Sequence, residues 1–385
     1  MKTLKDAPDL TGKKVIVRVD FNVPLDDEGN VRDDRRIRHA LPTIKHLMDA
    51  GVAQIILMSH VGRPKNKEPN LKTDKIAAHL SGLLGEDVKK VDDWGENGLP
   101  EVKLVMLENL RFHPGEKSKD EAECEAFSKH LASLADVYVN EAFSNSHRKH
   151  ASMMLPKLMP GFAGFGVEKE VNQIKKVLES PEHPVVAVIG GLKADKLTAI
   201  DNLLNIADNI LVAGALAFTL LKAKGKNMGS SKIDDEGLTE MGDLADRIKD
   251  NPKVHLPVDI VVADDFSEDA NSKAVSVDEV EDRWMGLDLG PETIGQYTAK
   301  LKEAKTILWF GPVGVFEMEK FSHGTKMLGR TIAESDAVSI VGGGDSASAV
   351  EKMGLTDQMT LVSTGGGASL KMIEGKELPA VKILQ

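Results

Sequence analysis

Residues Val338–Val350 read Val-Ser-Ile-Val-Gly-Gly-Gly-Asp-Ser-Ala-Ser-Ala-Val. Val338, Ile340 and Val341 form an apolar, β-branched run suited to a buried strand, and the small residues after the glycines suit the start of a helix. A strand that gives way through glycines to a helix N-terminus leaves backbone N–H groups pointing at open space. The positive end of the helix dipole stands behind them. Asp345 adds a carboxylate oxygen of the kind hard cations take. Two readings are open at this point: a tight strand-to-helix turn, or a cradle for a magnesium-bound polyphosphate.

The same alternation runs outward through the chain. Apolar runs at Lys14–Phe21, Gln54–Ser59, Lys103–Leu107, Val137–Val139, Val185–Ile189, Asn209–Val212, Val258–Ala263, Thr306–Phe310, Ala337–Val341 and Met359–Val362 read as strands. Between many of them apolar residues recur at helical spacing, as in Ile37, Leu41, Ile44 and Met48, or Leu197, Ile200, Leu203 and Leu204. This pattern predicts an α/β fold of parallel sheets covered on both faces, with right-handed crossovers. A chain of 385 residues is long for one core, so we expect two doubly wound, Rossmann-like parallel-sheet domains. Val167, Val171, Ile174 and Leu178 make one apolar stripe on a charged segment that stops at Pro181. They predict a linker helix over 167–180, between a first domain at 1–166 and a second at 181–369.

Composition narrows the function. A net charge of −11 argues against nucleic acid or membrane surfaces as partners, since both need a basic footprint. Met1 to Lys14 has no apolar core for a signal peptide, and no apolar stretch approaches the roughly 20 residues of a membrane span. Cys124 is the single cysteine, which leaves no internal disulfide and no cysteine-based metal site. Its helical spacing with Phe127 and Leu131 reads as a buried, inert thiol. A cytoplasmic enzyme is the expectation.

In open parallel sheets ligands bind beyond the carboxyl ends of the strands, and the two halves differ there. The first half presents Asp20-Phe21-Asn22, Ser59-His60-Val61-Gly62-Arg63-Pro64, Glu108-Asn109-Leu110-Arg111-Phe112 and Ser146-His147-Arg148, with Arg36 opening the first helix. Arginine forks match carboxylate and phosphate oxygens, so this rim suits a small, multiply anionic ligand. The second half presents Gly190-Gly191-Leu192-Lys193-Ala194-Asp195-Lys196, Gly311-Pro312-Val313-Gly314-Val315-Phe316-Glu317, Gly342-Gly343-Gly344-Asp345 and Ser363-Thr364-Gly365-Gly366-Gly367-Ala368. Four glycine-rich strand ends in one half point to a nucleotide. There is no Walker A pattern, no Gly-x-Gly-x-x-Gly after a strand and no protein-kinase signature. The missing dinucleotide fingerprint also counts against a nicotinamide-dependent oxidoreductase.

These segments, together with Arg18-Val19-Asp20-Phe21-Asn22-Val23-Pro24, resemble phosphoglycerate kinase over essentially the full length. The resemblance implies a hinge-bending monomer with a cleft between its domains. It implies reversible phosphoryl transfer between 1,3-bisphosphoglycerate and ADP, giving 3-phosphoglycerate and ATP, with Mg2+. It places the phosphoglycerate on Asp20, Asn22, Arg36, His60, Arg63, Arg111 and Arg148. The nucleotide falls to Lys193, Lys196, Glu317, Gly343, Gly344, Asp345 and Ser346, with Asp345 on the metal and Glu317 on the ribose. Residues 370–385 would pack back on the first domain. Arg36, Lys193 and Lys196, with the N–H groups of Gly344 and Gly367, are the candidates for stabilising the transferred group. The chain departs from the family in having Phe310 where Asn is usual, and its Lys193–Lys196 loop is one residue short. It also has Glu141 and Ser144-Asn145-Ser146 ahead of His147, and Ala213-Gly214-Ala215-Leu216 for a more glycine-rich run. A non-catalytic homologue that binds both ligands is the alternative.

Overall fold

The computed structural model describes residues 1–94, 98–193, 196–363 and 365–385. Ala194, Asp195 and Thr364, which fall within the motifs above, lie outside the described residues. The chain divides into two compact units, Met1–Asn172 with Glu377–Gln385, and Gln173–Lys376.

The first unit is built on six parallel strands, β1 (Lys14–Val19), β2 (Gln54–Met58), β3 (Val88–Val91), β4 (Leu104–Leu107), β5 (Val137–Glu141) and β6 (Gly161–Ala163). Their order is β3-β4-β2-β1-β5-β6. Every residue of β2, β4 and β5 is buried, as expected where helices cover both faces. One face packs Val15, Val17, Ile55 and Leu57 against Ile37, Ile44 and Leu47 of the helix Arg35–Asp49. The other packs Ile16, Ile56 and Tyr138 against Phe127 and Leu131 of the helix Glu121–Ala132. Glu377–Gln385 docks here too, through Ala380 N to Ser146 O at 3.1 Å and Ala380 against Ala142 and Met153. The helix Gly366–Ile373 ahead of it lies in the second unit.

The second unit holds β7 (Val185–Ile189), β8 (Asn209–Val212), β9 (Val254–His255), β10 (Asp259–Ala263), β11 (Ser272–Ser276), β12 (Met285–Leu289), β13 (Thr306–Phe310), β14 (Val338–Gly342) and β15 (Leu361–Ser363). Six form a parallel sheet in the order β15-β14-β13-β7-β8-β9, and three form a separate sheet, β11-β10-β12. The run at Val258–Ala263 therefore departs from the expectation: β10 pairs antiparallel with both β11 and β12. Its alternating burial fits a sheet with one wetter face, which an apolar run alone does not reveal. The stripe of Val167, Val171 and Ile174 belongs to the helix Phe165–Glu179, and the boundary between the units falls inside it. Among the described residues no helix is long and apolar enough to cross a membrane.

Candidate functional site

Both parallel sheets change direction once. In the first, strands are added outward from β1 through β2 to the far edge before the chain returns to place β5 on the other side; in the second, the reversal lies between β7 and β13. Such switch points open a crevice at the carboxyl ends of the strands.

In the first unit the register sets Arg18 of β1 beside Met58 of β2 and Asn140 of β5, so the segments that follow leave the sheet along one edge. Asp20, on the way out of β1, is buried. Its Oδ2 lies 2.9 Å from Arg36 Nη1 and accepts the Ser144 hydroxyl. Arg36 Nη1 also donates to the Asn22 carbonyl at 3.1 Å. Asn22 Oδ1 accepts the Gly62 N–H at 2.8 Å, while Arg111 Nη1 donates to the Gly62 carbonyl. Gly62 is thus held from the segments that follow β1 and β4. Asn109 completes the frame: its Oδ1 accepts Val61 N and Arg111 N, and its Nδ2 donates to Val61 O and Leu71 O.

The electrostatics are lopsided. Burial lowers the Arg111 guanidinium, and Arg18, Arg148 and Arg63 lower it further against the opposing pull of Glu116. Burial also holds His60 far below the ordinary imidazole range, helped by Arg18, Arg111, His150 and Arg36. His150 is brought down to about 4, by burial first and then by Arg18, Arg148 and Arg111. Cations this close raise one another's energy unless an anion joins them. Arg111 Nε is buried without a hydrogen-bond partner among the described residues, a donor left for such an anion. Asp20, Asn22, Arg36, His60, Arg63, Arg111 and Arg148 therefore belong to one electropositive rim, with Arg63 and Arg148 on its exposed side. Arg18, fully buried beneath it, and Glu116, Asn109 and Ser152 were not singled out from the sequence.

In the second unit the register is in step across five strands: Val212 pairs with Ile189, Ile189 with Phe310, Phe310 with Gly342 and Gly342 with Ser363. The loops that follow emerge side by side. Gly191 N donates to Pro312 O at 3.0 Å, and Gly311 N donates to the buried Ser346 hydroxyl at 2.7 Å. Gly343 caps the helix Gly344–Lys352 with φ +106°, a conformation that favours glycine. Gly344 and Asp345 are exposed, with open space where a Gly344 Cβ would point. Gly366, opening the helix Gly366–Ile373, stands so close that its Cβ would lie 3.4 Å from Gly344 N. Two helix N-termini thus share one concavity.

Lys196 reaches in from the opposite lip, donating to the Gly190 carbonyl; its Nζ would lie 2.6 Å from a Cβ on Gly311. Lys193 is exposed and lines a cleft of about 400 Å³ with Lys232, Ile233 and Asp234. Glu317 and Gly367 are exposed. Phe310 is buried, its ring facing Gly342 below the cradle. A wider cleft of about 730 Å³ against Lys224, Lys226 and Asp278 carries mutually paired charges, Lys226 with Asp278 and Lys224 with Asp250.

Among the described residues no three His, Cys, Asp or Glu gather into a metal cage. One exposed carboxylate beside an anion cradle does fit Mg2+, which keeps most of its waters and binds through one or two carboxylates plus substrate phosphates. The Cys124 thiol is half-buried, raised by burial and donated to Ser118 O at 3.3 Å.

The phosphoglycerate kinase family model matches residues 4–376. The chain is 47% identical to the phosphoglycerate kinase of Rubrobacter xylanophilus over 98% of this chain and 96% of that one. It is 45% identical to that of a Nostoc species, over 98% and 97%. A solved phosphoglycerate kinase from Coxiella burnetii aligns with a TM-score of 0.86 at 38% identity, covering 99% of this chain and 98% of its own. With an anion rim on one sheet, a glycine cradle on the other and this length of match, the chain belongs to the phosphoglycerate kinase family.

Proposed function

We propose that this chain moves a phosphoryl group reversibly between 1,3-bisphosphoglycerate and ADP, giving 3-phosphoglycerate and ATP. The observation that carries the reading is the division of labour between the two switch points. One gathers arginines around a buried donor that has no partner among the described residues; the other offers paired helix N-termini and a lysine. An acceptor carboxylate is already ionised at neutral pH, so the reaction needs no general base. What it needs is in-line positioning and neutralisation of charge on the transferred group.

Asp20, Asn22, His60, Arg63, Arg111 and Arg148 would hold the phosphoglycerate. Arg36, already oriented by Asp20 and Asn22, would face the reacting end. The N–H groups of Gly343, Gly344 and Gly367 would take phosphate oxygens, with Ser346 fixing the turn that presents them and Glu317 holding the ribose. Lys196 would exchange the Gly190 carbonyl for phosphate, and Lys193 would approach from the exposed side. Asp345 would hold Mg2+, which supplies charge neutralisation on the nucleotide phosphates when bound. Donors from both units must converge on one phosphoryl group, so closure of the units belongs to the cycle and expels competing water. We take the working form to be a cytoplasmic monomer.

The test is a coupled assay with ATP, Mg2+ and 3-phosphoglycerate. Turnover that Arg36→Ala abolishes or nearly abolishes is expected; folded wild-type protein without turnover would overturn the proposal.

A further inference from the structure

Arg18 is a charged residue inside β1, and it is fully buried. Its Nη2 stands 3.0 Å from His60 Nδ1. A guanidinium offers donors only, so His60 Nδ1 must present a lone pair, and the ring proton of the neutral imidazole then sits on Nε2. The guanidinium is itself held from behind. Its Nε donates to Ser152 Oγ at 2.9 Å, and its Nη1 donates to the Val19 carbonyl. Ser152 Oγ in turn donates to Glu116 Oε1 at 2.7 Å, and Ser152 N donates to Oε2 at 3.0 Å. Glu116 is completely buried.

We infer that Arg18 is a positioning residue: anchored through Ser152 to Glu116, it locks His60 as a neutral imidazole that can meet its ligand only as a donor through Nε2. This rests on the reading above that His60 faces the phosphoglycerate. The consequence is directional. An imidazolium would add one more diffuse charge to a rim already crowded with guanidinium groups. A neutral ring with a fixed tautomer adds one aimed hydrogen bond from a donor that keeps its proton across the neutral pH range. The groups that face His60 from the surrounding elements agree: Arg18 on β1, Arg36 on the first long helix, Arg111 after β4 and His150 after β5 all oppose a charged ring, in addition to its burial. Glu116, the acid of the network, reaches His60 through Ser152 and Arg18, and its Oε1 also stands 3.9 Å from Nδ1 of His150, one of the groups facing His60.

The experiment is long-range proton–nitrogen NMR of the imidazoles in the whole protein, with His60 assigned through His60→Gln. Without ligand, His60 should show the Nε2–H tautomer unchanged from about pH 5 to pH 9. An Nδ1–H pattern, or titration to imidazolium in that range, would overturn the inference. Arg18→Met should release the ring into mixed tautomers or a visible titration and raise the KM for 3-phosphoglycerate about tenfold or more, with a smaller change in kcat. Arg18→Lys, which keeps a cationic donor group without the guanidinium fork, should restore the tautomer in part. Ser152→Ala removes only the anchor and reports the same effect should Arg18→Met not fold; an unaltered His60 spectrum in Ser152→Ala would overturn the relay. Adding 3-phosphoglycerate separates the inference from the reading it rests on. A fixed tautomer whose Nε2 signal ignores the ligand would refute the placement of the substrate and leave the lock standing.

Discussion

Gly342→Ala should be costly, and Phe310 should be the reason. The two are register partners on adjacent strands, and Phe310 is 2% exposed. A Cβ on Gly342 would lie 2.0 Å from Phe310 Cε1, 2.7 Å from Cδ1 and 2.9 Å from Cζ. Carbon atoms in contact sit about 3.5–4.0 Å apart, so the ring would have to retreat by well over an ångström inside a packed layer. Overpacking of that kind costs about 1–3 kcal/mol, and the closeness of three ring atoms puts this case near the upper end. With Phe310→Asn the clashing ring atoms are gone, so the same Gly342→Ala change should cost under about 1 kcal/mol. A coupling energy of roughly 2 kcal/mol between neighbouring sites follows. Four proteins, wild type, each single variant and the double, compared by urea denaturation at constant m would measure it. Calorimetry with MgADP adds a functional reading. Gly342 leads directly into the Gly343–Gly344 turn, so the single Gly342→Ala variant should bind nucleotide about tenfold more weakly, and the double variant should recover. Equal stability penalties in both backgrounds would refute the steric argument.

Three further outcomes are expected. Burial pushes the Glu141 carboxyl up to about 8, against hydrogen bonds from Thr43 and Gly166 and with Glu170 adding to the rise. The folded state therefore holds the proton more tightly than the unfolded chain, so this contribution is whole below about pH 4.5 and is lost as pH climbs towards 8 at up to about 1.4 kcal/mol per unit; Glu141→Gln should flatten the stability profile between pH 5 and 8, and parallel profiles in urea melts would count against it. Lys196→Met, which removes the charge but keeps the stem, should lower kcat by roughly a hundredfold or more in the coupled assay while leaving the melting temperature within a few degrees; an active variant would place Lys196 outside the reaction. Asp345→Asn should raise the Mg2+ concentration needed for nucleotide binding while metal-free ADP binds as before, and calorimetry showing an unchanged Mg2+ dependence would remove Asp345 from the metal.

Much of the architecture was readable because the central strands are apolar throughout. The runs Val185–Ile189, Asn209–Val212 and Thr306–Phe310 coincide with β7, β8 and β13 residue for residue. Edge strands gave weaker signals: β9 has two residues and β3 is half wet. β11 is mostly exposed, and β12 carries a glycine and a buried aspartate, both unfavourable in strands. The cradle was legible for a local reason. Glycines with positive φ at the ends of β7, β13 and β14, Gly191, Gly311 and Gly343, mark the places where backbone must turn and open outward.

What lies beneath the anion rim was not legible, and Arg18 shows why. In a strand with one wet face, an arginine between two valines reads as solvent-facing. β1 has partners on both sides and helices over both faces, so its side chains enter the interior whichever way they point. The partners that make a buried guanidinium tolerable, Glu116 and Ser152, come from segments on either side of β5, Ser152 being 134 residues later in the chain than Arg18, and the strand order that lays β5 against β1 brings Ser152 to Arg18. A ligand group at a strand end announces itself by its neighbours in sequence. The group that orients it is chosen by the order of the strands, so the tautomer of His60 is a property of topology before it is a property of any motif.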